Sequence, residues 1–292
     1  MSSAPTEVPH SSGTARPKLE APAHAADCHM HIYDSRFPQI PSRAPVANAA
    51  VADYRLLQKR TGTTRVVVVQ PRNHSTHNQV TLDAIAQLGA DARGIAVVNT
   101  SVSDAELKAL NAGGIRGIRF SLGDPSTAVV SLDMVEPLAK RIAPLGWHVQ
   151  LHWPGAMIEE NSALLSRLPC PIVFDHMGRF PPETGIAHPA YKTILGLIDK
   201  DRAWVKISGA YLNTRVGPPH YADATKVACA FVSAAPERLV WGSDWPHPSE
   251  KSHTPDDALL FDLLLAWAPE KATRHRILVT NPETLYGFPR ST

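Results

Sequence analysis

From residue 26 onward the chain alternates short apolar runs with longer amphipathic stretches. The runs fall at 27–32, 65–70, 94–98, 117–120, 148–151, 172–174, 204–207 and 239–241. Four valines in a row at 66–69 leave no polar position, as expected of a strand buried on both faces in a parallel sheet. Between the runs, helical periodicity covers 53–61, 76–88, 103–112, 131–145, 156–168, 189–200, 221–235 and 255–267. Ser103 and Glu106 have capping-box spacing, and Gly89 and Gly146 stand where helices should stop. Eight strand-then-helix units with no two strands adjacent predict a closed parallel (β/α)8 barrel of the TIM type. An open doubly wound sheet would need a glycine-rich phosphate loop early on, and QPRNHSTHN after the second run has no glycine. Residues 274–288 predict one more helix, closing the chain against the barrel wall.

Length agrees with this pattern, since 292 residues suit one barrel. The reading is a single catalytic domain over 26–292, preceded by a flexible lead-in over 1–25. That lead-in is rich in Ser, Pro, Ala and His and is expected to pack little. A net charge of +2 gives no field that would gather nucleic acid or an anionic membrane. No stretch approaches the roughly 18 apolar residues that span a bilayer, and residues 1–25 lack the apolar core of a secretory signal. Cys28, Cys170 and Cys229 form no CxxC pair, which argues for a reducing compartment, with the cytoplasm as the expected address.

In such a barrel the chemistry sits at the carboxyl ends of the strands. Strand one ends in Asp27-Cys28-His29-Met30-His31, where alternation points His29 and His31 to one side, about 7 Å apart along the chain. Strand five ends at His152, strand six at Asp175-His176 and strand eight at Asp244. Any one of these is an ordinary wall residue or cap. Four histidines and an aspartate converging on one mouth predict a metal or catalytic centre. His74 and His77 follow strand two, and His247 and His253 follow strand eight. Of these, His74 and His247 are expected to line the pocket.

DCHMH, FDHMGR and WGSDWPHP, together with RGIAVV, GGIRGIRF and NPETLY, resemble the signatures of the amidohydrolase superfamily. The likeness spans about residues 26–288 and is narrower than the superfamily. It points to the lactone branch of pyrone-dicarboxylate lactonases, sulfomuconolactone hydrolases, sugar-lactone hydrolases and galactarolactone isomerases. The resemblance implies a distorted (β/α)8 barrel in which His29, His31, His152 and Asp244 hold a metal. Asp244 is then also the proton acceptor, and His176 the strand-six histidine beside it. Arg119 stands where binuclear relatives place a bridging lysine or glutamate, so one divalent ion is implied. Zinc is the first choice for imidazole ligands. The branch also contains metal-free enzymes, which carry a tyrosine at the position of His152.

The implied reaction is ring opening of an anionic lactone, of the 4-sulfomuconolactone or pyrone-dicarboxylate kind, in aromatic-compound degradation. Water attacks the ester carbonyl, Asp244 accepts its proton and His176 stabilises the carbonyl oxygen. Arg119 and Arg179 are expected to clamp a carboxylate or sulfonate through planar forks. Arg72, Lys206 and Arg215 are weaker choices, and Asp124 is a loop carboxylate that would compete for the arginines. Two alternatives use the same barrel: decarboxylation of an aromatic acid and isomerisation of a sugar lactone. Ligand-set motifs of the decarboxylases often begin with a carboxylate rather than His-Met-His, which favours hydrolysis. Barrels of this size often pair, so a homo-oligomer is compatible with the sequence.

Overall fold

The computed structural model describes residues 7–40, 46–123, 128–250 and 253–291. Eight strands run β1 Ala26–Met30, β2 Arg65–Val69, β3 Ala92–Ala96, β4 Ile115–Ser121, β5 His148–His152, β6 Ile172–Phe174, β7 Ala203–Ser208 and β8 Leu239–Gly242. Each pairs in parallel with the next, in the order β1 to β8. The wall closes between β8 and β1 just beyond the end of β8. There Asp244 N donates to His29 O at 2.7 Å and His31 N donates to Trp245 O at 2.8 Å. The barrel is therefore distorted at the seam where two of its motifs meet.

Helices connect the strands, among them α1 Val51–Thr61, α2 Gln79–Leu88 and α3 Asp104–Ala112. The capping box is realised at α3, where Ser103 Oγ accepts from Glu106 N and Glu106 accepts from Ser103 N. The stretch read as one helix over 131–145 is α only over Val135–Ile142 (α4), with 3-10 turns on either side. Pro144, lacking an N–H, cannot continue the α pattern. Likewise 156–168 splits at Asn161 into Gly155–Glu160 (α5) and Ser162–Arg167 (α6). Helices α7 Pro189–Ile198, α8 Ala222–Ala234 and α9 Asp257–Trp267 complete the outer ring. None of the helices among the described residues is long and apolar enough to cross a membrane.

The valine run explains both cores. Val66 and Val68 belong to the large core between wall and helices, and Val67 and Val69 to a small core inside the barrel. Burying each contributes about 1.5–3 kcal/mol. The inner core holds Ala26, Cys28, Ile95 and Val240 and is closed from below by Tyr286 and Phe288 of the carboxyl-terminal segment. That segment was read as one helix. It is instead Lys271–His275 (α10), a π turn, and Asn281–Tyr286 (α11), ended by Gly287 in the left-handed region.

Residues 7–25, the described part of the lead-in, pack more than their composition predicts. Val8, Leu19 and Ala25 are buried. Trp245 Nε1 donates to Pro9 O at 2.8 Å, and Arg60 donates to Ser12 O and Ala15 O. A segment with few apolar side chains can still be fixed when buried donors collect its carbonyls. That signal lies in Arg60 and Trp245, far away in the sequence.

Candidate active site

The backbone at the mouth is bent to aim side chains. Regular alternation from Ala26 and Cys28, which face the inner core, would turn His29 toward the helices. Between Asp27 and Met30, however, β1 spends three residue steps where β2 spends two. This bulge re-aims His29 into the mouth, where it meets Asp175 and Lys206. Gly242 makes room for it: a Cβ there would sit 2.5 Å from the His29 Cβ. Left-handed φ values at His176, Met177, Arg179, Asp244 and His247 concentrate in the loops after β6 and β8. Such conformations cost about 1–3 kcal/mol each and persist only where the surrounding structure over-determines them.

Four side chains face one another across a few ångströms. His29 Nε2 and His31 Nε2 each lie 3.5 Å from Asp244 Oδ1, and His176 Nε2 lies 3.7 Å from the same oxygen. All four residues are buried. His31 Nδ1 bonds the carbonyl of Val69 at 2.8 Å, so that nitrogen carries the proton and Nε2 presents a lone pair. The His29 Nδ1 lies 3.2 Å from Asp175 Oδ1 and 3.4 Å from Lys206 Nζ, one calling for a proton there and the other for a lone pair. The His29 Nε2 is buried with no hydrogen-bond partner among the described residues. The lone pair of His31 and the unpartnered Nε2 of His29 thus press on one carboxylate oxygen. A divalent cation resolves that conflict, and ligand atoms of His29, His31 and Asp244 lie within 4.8 Å of one another. The donor set fits a metal.

Burial pushes the His29 imidazole well below its ordinary range and brings His176 down to about 4, so both are neutral at pH 7. Burial alone would raise the Asp244 carboxyl; protonated imidazoles at His176, His31 and His29 would pull it well below the usual carboxylate range, and a divalent cation held between neutral ones would act in the same sense.

Beneath the cluster lies a buried layer whose central member, Asp175, sequence reading left without a role. Asp175 Oδ2 accepts from Arg119 Nε at 2.9 Å and from Gln150 Nε2 at 3.2 Å, while Oδ1 faces His29. Lys206 donates to Cys28 O and to Gln150 Oε1, both at 2.8 Å. Asp175 thus orients a would-be ligand from behind, as carboxylates do behind metal-bound imidazoles. The signal was present, since Asp175 precedes His176 in FDHMGR at a strand end.

The expected residues divide. His29, His31, His176 and Asp244 come together. His152 lies beside His176, ring centroids 5.4 Å apart, but joins no metal-competent group among the described residues. Its Nδ1 is hydrogen-bonded to Ser121 Oγ on the paired strand at 3.0 Å. Arg119 is buried against Asp175, not against a loop carboxylate; Asp124 itself lies outside the described residues. The Arg179 guanidinium makes no hydrogen bond or ion pair among the described residues, and burial lowers its pKa while Asp244 and Tyr211 oppose that.

His74 is held by Pro38 O at 2.8 Å and is separated from His31 by the ring of Tyr33. His247 has both ring nitrogens engaged, with Tyr211 Oη at 3.0 Å and Asp257 Oδ2 at 3.1 Å, which leaves neither for a substrate. Lys206 is wholly interior, Arg215 pairs with Glu183 at the surface, and His77 and His253 are exposed. Sequence reading missed Tyr211 altogether: it follows β7 with no motif, yet its hydroxyl donates to Asp244 Oδ2 at 2.5 Å.

A parallel barrel that gathers neutral imidazoles around one ionised aspartate at its carboxyl end defines a class of hydrolytic barrel enzymes. Within that class the chain belongs to the amidohydrolase family, whose profile matches residues 26–288. It is 34% identical over 283 residues to a 2-pyrone-4,6-dicarboxylate hydrolase of Comamonas testosteroni, covering 93% of each chain. It is also 34% identical over 280 residues to a D-galactarolactone isomerase of Agrobacterium fabrum, covering 94% of each. A 4-sulfomuconolactone hydrolase of Rhizobium radiobacter is 32% identical over 277 residues, covering 91% of each.

Proposed function

We propose that this protein opens an anionic lactone by hydrolysis, with Asp244 as the proton acceptor. The observation that carries this reading is the approach of His29, His31 and His176 to a single oxygen of Asp244. His29, His31 and Asp244 would hold one divalent ion, zinc being the first choice for imidazole donors. When bound, such an ion lowers the pKa of water toward about 7 and polarises a carbonyl.

Asp244 takes the proton of the attacking water and then returns it to the departing ring oxygen, so the ester C–O bond breaks to give a hydroxy acid. Neutral His176 donates a hydrogen bond to the carbonyl oxygen as negative charge gathers there, an interaction typically worth about 2.7–4 kcal/mol. Arg179, with no partner of its own among the described residues, meets the anionic substituent of the substrate, aided by the outer nitrogens of Arg119. Relatives named for 4-sulfomuconolactone and pyrone dicarboxylate make these the first substrates to try.

The test is a pH-indicator assay of both lactones and D-galactarolactone, run before and after chelation, with elemental analysis of the purified protein and Asp244→Asn as control. Acid release lost in Asp244→Asn supports the reading. Acid release that persists in that variant overturns the role of Asp244. Turnover that survives complete removal of metal removes the ion from the scheme and leaves Asp244 and His176 in it.

A second reading has support of its own, because the isomerase relative is as similar as the first hydrolase. Conversion of D-galactarolactone without net acid release would select it.

A further inference from the structure

Behind Asp244 runs a chain of hydrogen bonds that the proposed reaction does not use. Tyr211, in the 3-10 turn after β7, donates to Asp244 Oδ2 at 2.5 Å. His247 Nδ1 lies 3.0 Å from the same phenol oxygen, and its Nε2 lies 3.1 Å from Asp257 Oδ2. Asp257 is the first residue of α9 and is fully buried, as is nearly all of His247. Tyr211 after β7 thus joins three residues that follow β8 in one line: Asp257, His247, Tyr211, Asp244.

The hydrogen count gives the line a direction. A carboxylate only accepts, so Asp257 calls for a proton on His247 Nε2, and Asp244 calls for the phenolic proton of Tyr211. All contacts are filled at once when Nδ1 also donates, to the phenol oxygen. The chain therefore ends on one oxygen of Asp244 and leaves the other, Oδ1, to the three histidines.

We propose that Tyr211, held in place by His247 and Asp257, is the positioning residue that fixes the Asp244 carboxylate with Oδ2 tied and Oδ1 aimed into the mouth. The inference rests on Asp244 being the proton acceptor. A carboxylate tied at one oxygen presents a single lone-pair face to water and to an ion, whereas a free one rotates among several. Groups placed behind a ligand in this way typically govern about 10–100-fold of metal affinity or activity. The line also accounts for the histidine of WGSDWPHP, which sequence reading had assigned to the substrate.

The experiment compares Tyr211→Phe, His247→Gln and the double variant on whichever of 4-sulfomuconolactone, 2-pyrone-4,6-dicarboxylate and D-galactarolactone is turned over fastest. Tyr211→Phe is expected to lower kcat about 10–100-fold with KM within about twofold. His247→Gln should fall in the same direction, and the double variant should be no slower than Tyr211→Phe, because His247 acts only through the phenol. In competition with a chromophoric chelator, Tyr211→Phe should bind zinc about tenfold more weakly.

A raised KM at unchanged kcat would make Tyr211 a substrate contact and overturn the proposal. Losses that multiply in the double variant overturn it too. Should His247→Gln fail to fold, the kcat–KM split of Tyr211→Phe decides alone. Asp244→Asn separates the two levels. If it is inactive while Tyr211→Phe matches wild type, the positioning role falls and the acceptor stands; if it is active, both fall.

Discussion

At the carboxyl end of the barrel His176 faces Asp244 across 3.7 Å; at the amino end His148 faces Tyr286, ring centroids 5.5 Å apart. Both imidazoles are buried, and burial brings His176 down to about 4 and His148 to about 3. The arginines show the same contrast. Arg65 near the sealed end donates to Glu283 at 2.8 Å and to Pro289 O at 2.6 Å, and Arg93 donates to Gly287 O. At the mouth Arg179 donates to no described residue. Identical residue types are spent on closure at one end and held in reserve at the other. The carboxyl-terminal segment covers the bottom with Tyr286 and Phe288.

The largest expected break in that contrast is Asp244→Asn. It should reduce kcat by about 10²–10⁴, the usual range for a lost general acid–base group, with an unchanged melting temperature. Turnover near wild type would place the chemistry elsewhere. Next, Arg65→Met should cost about 1.5–3 kcal/mol of stability, because it removes a charge-assisted bond to Glu283 and the donor to Pro289 O. Urea denaturation measures the loss, and kcat/KM of the remaining folded enzyme should not move.

Arg179→Met should show the opposite pattern. A lost charge-assisted hydrogen bond of about 1.5–3 kcal/mol raises KM for a carboxylated lactone roughly 10–150-fold, with stability held. A drop in melting temperature without a KM change would make Arg179 structural.

The smallest effect separates the two histidine sites by pH. His148 is depressed in the fold from 6.5 to about 3, so its contribution is complete above pH 6.5. Below that the unfolded chain takes up a proton that the folded chain refuses. Stability then falls by up to about 1.4 kcal/mol per pH unit as pH drops toward 3. His148→Gln should remove that share, giving a shallower loss of urea midpoint between pH 6.5 and 5 and leaving kcat at pH 7.5 within about twofold. An unchanged slope would mean that His148 takes up a proton in the fold as readily as in the unfolded chain.

Much of the barrel was legible because its signals are local. Valines 66–69, Ser103 with Glu106, and the strand-end histidines state their surroundings within a few residues. Helices were overextended at 131–145 and 156–168, where Pro144 and Asn161 interrupt a continuous apolar periodicity. His29, His31, His176 and Asp244 were found because barrel topology places strand ends together. Asp175 was in view as the neighbour of His176 but carried no role of its own. Tyr211 and the engagement of His247 were not legible, since nothing near position 211 announces position 244.

Neighbours along the chain suffice for the order and kind of elements and for which residue types reach the mouth, because periodicity and strand-end position are local properties. Only the folded barrel settles which oxygen of Asp244 is tied, which nitrogen of His31 carries the proton, and which arginines are already taken. Those outcomes depend on hydrogen-bond partners tens to hundreds of residues away, on a one-residue bulge in β1, and on burial that removes water as the alternative partner.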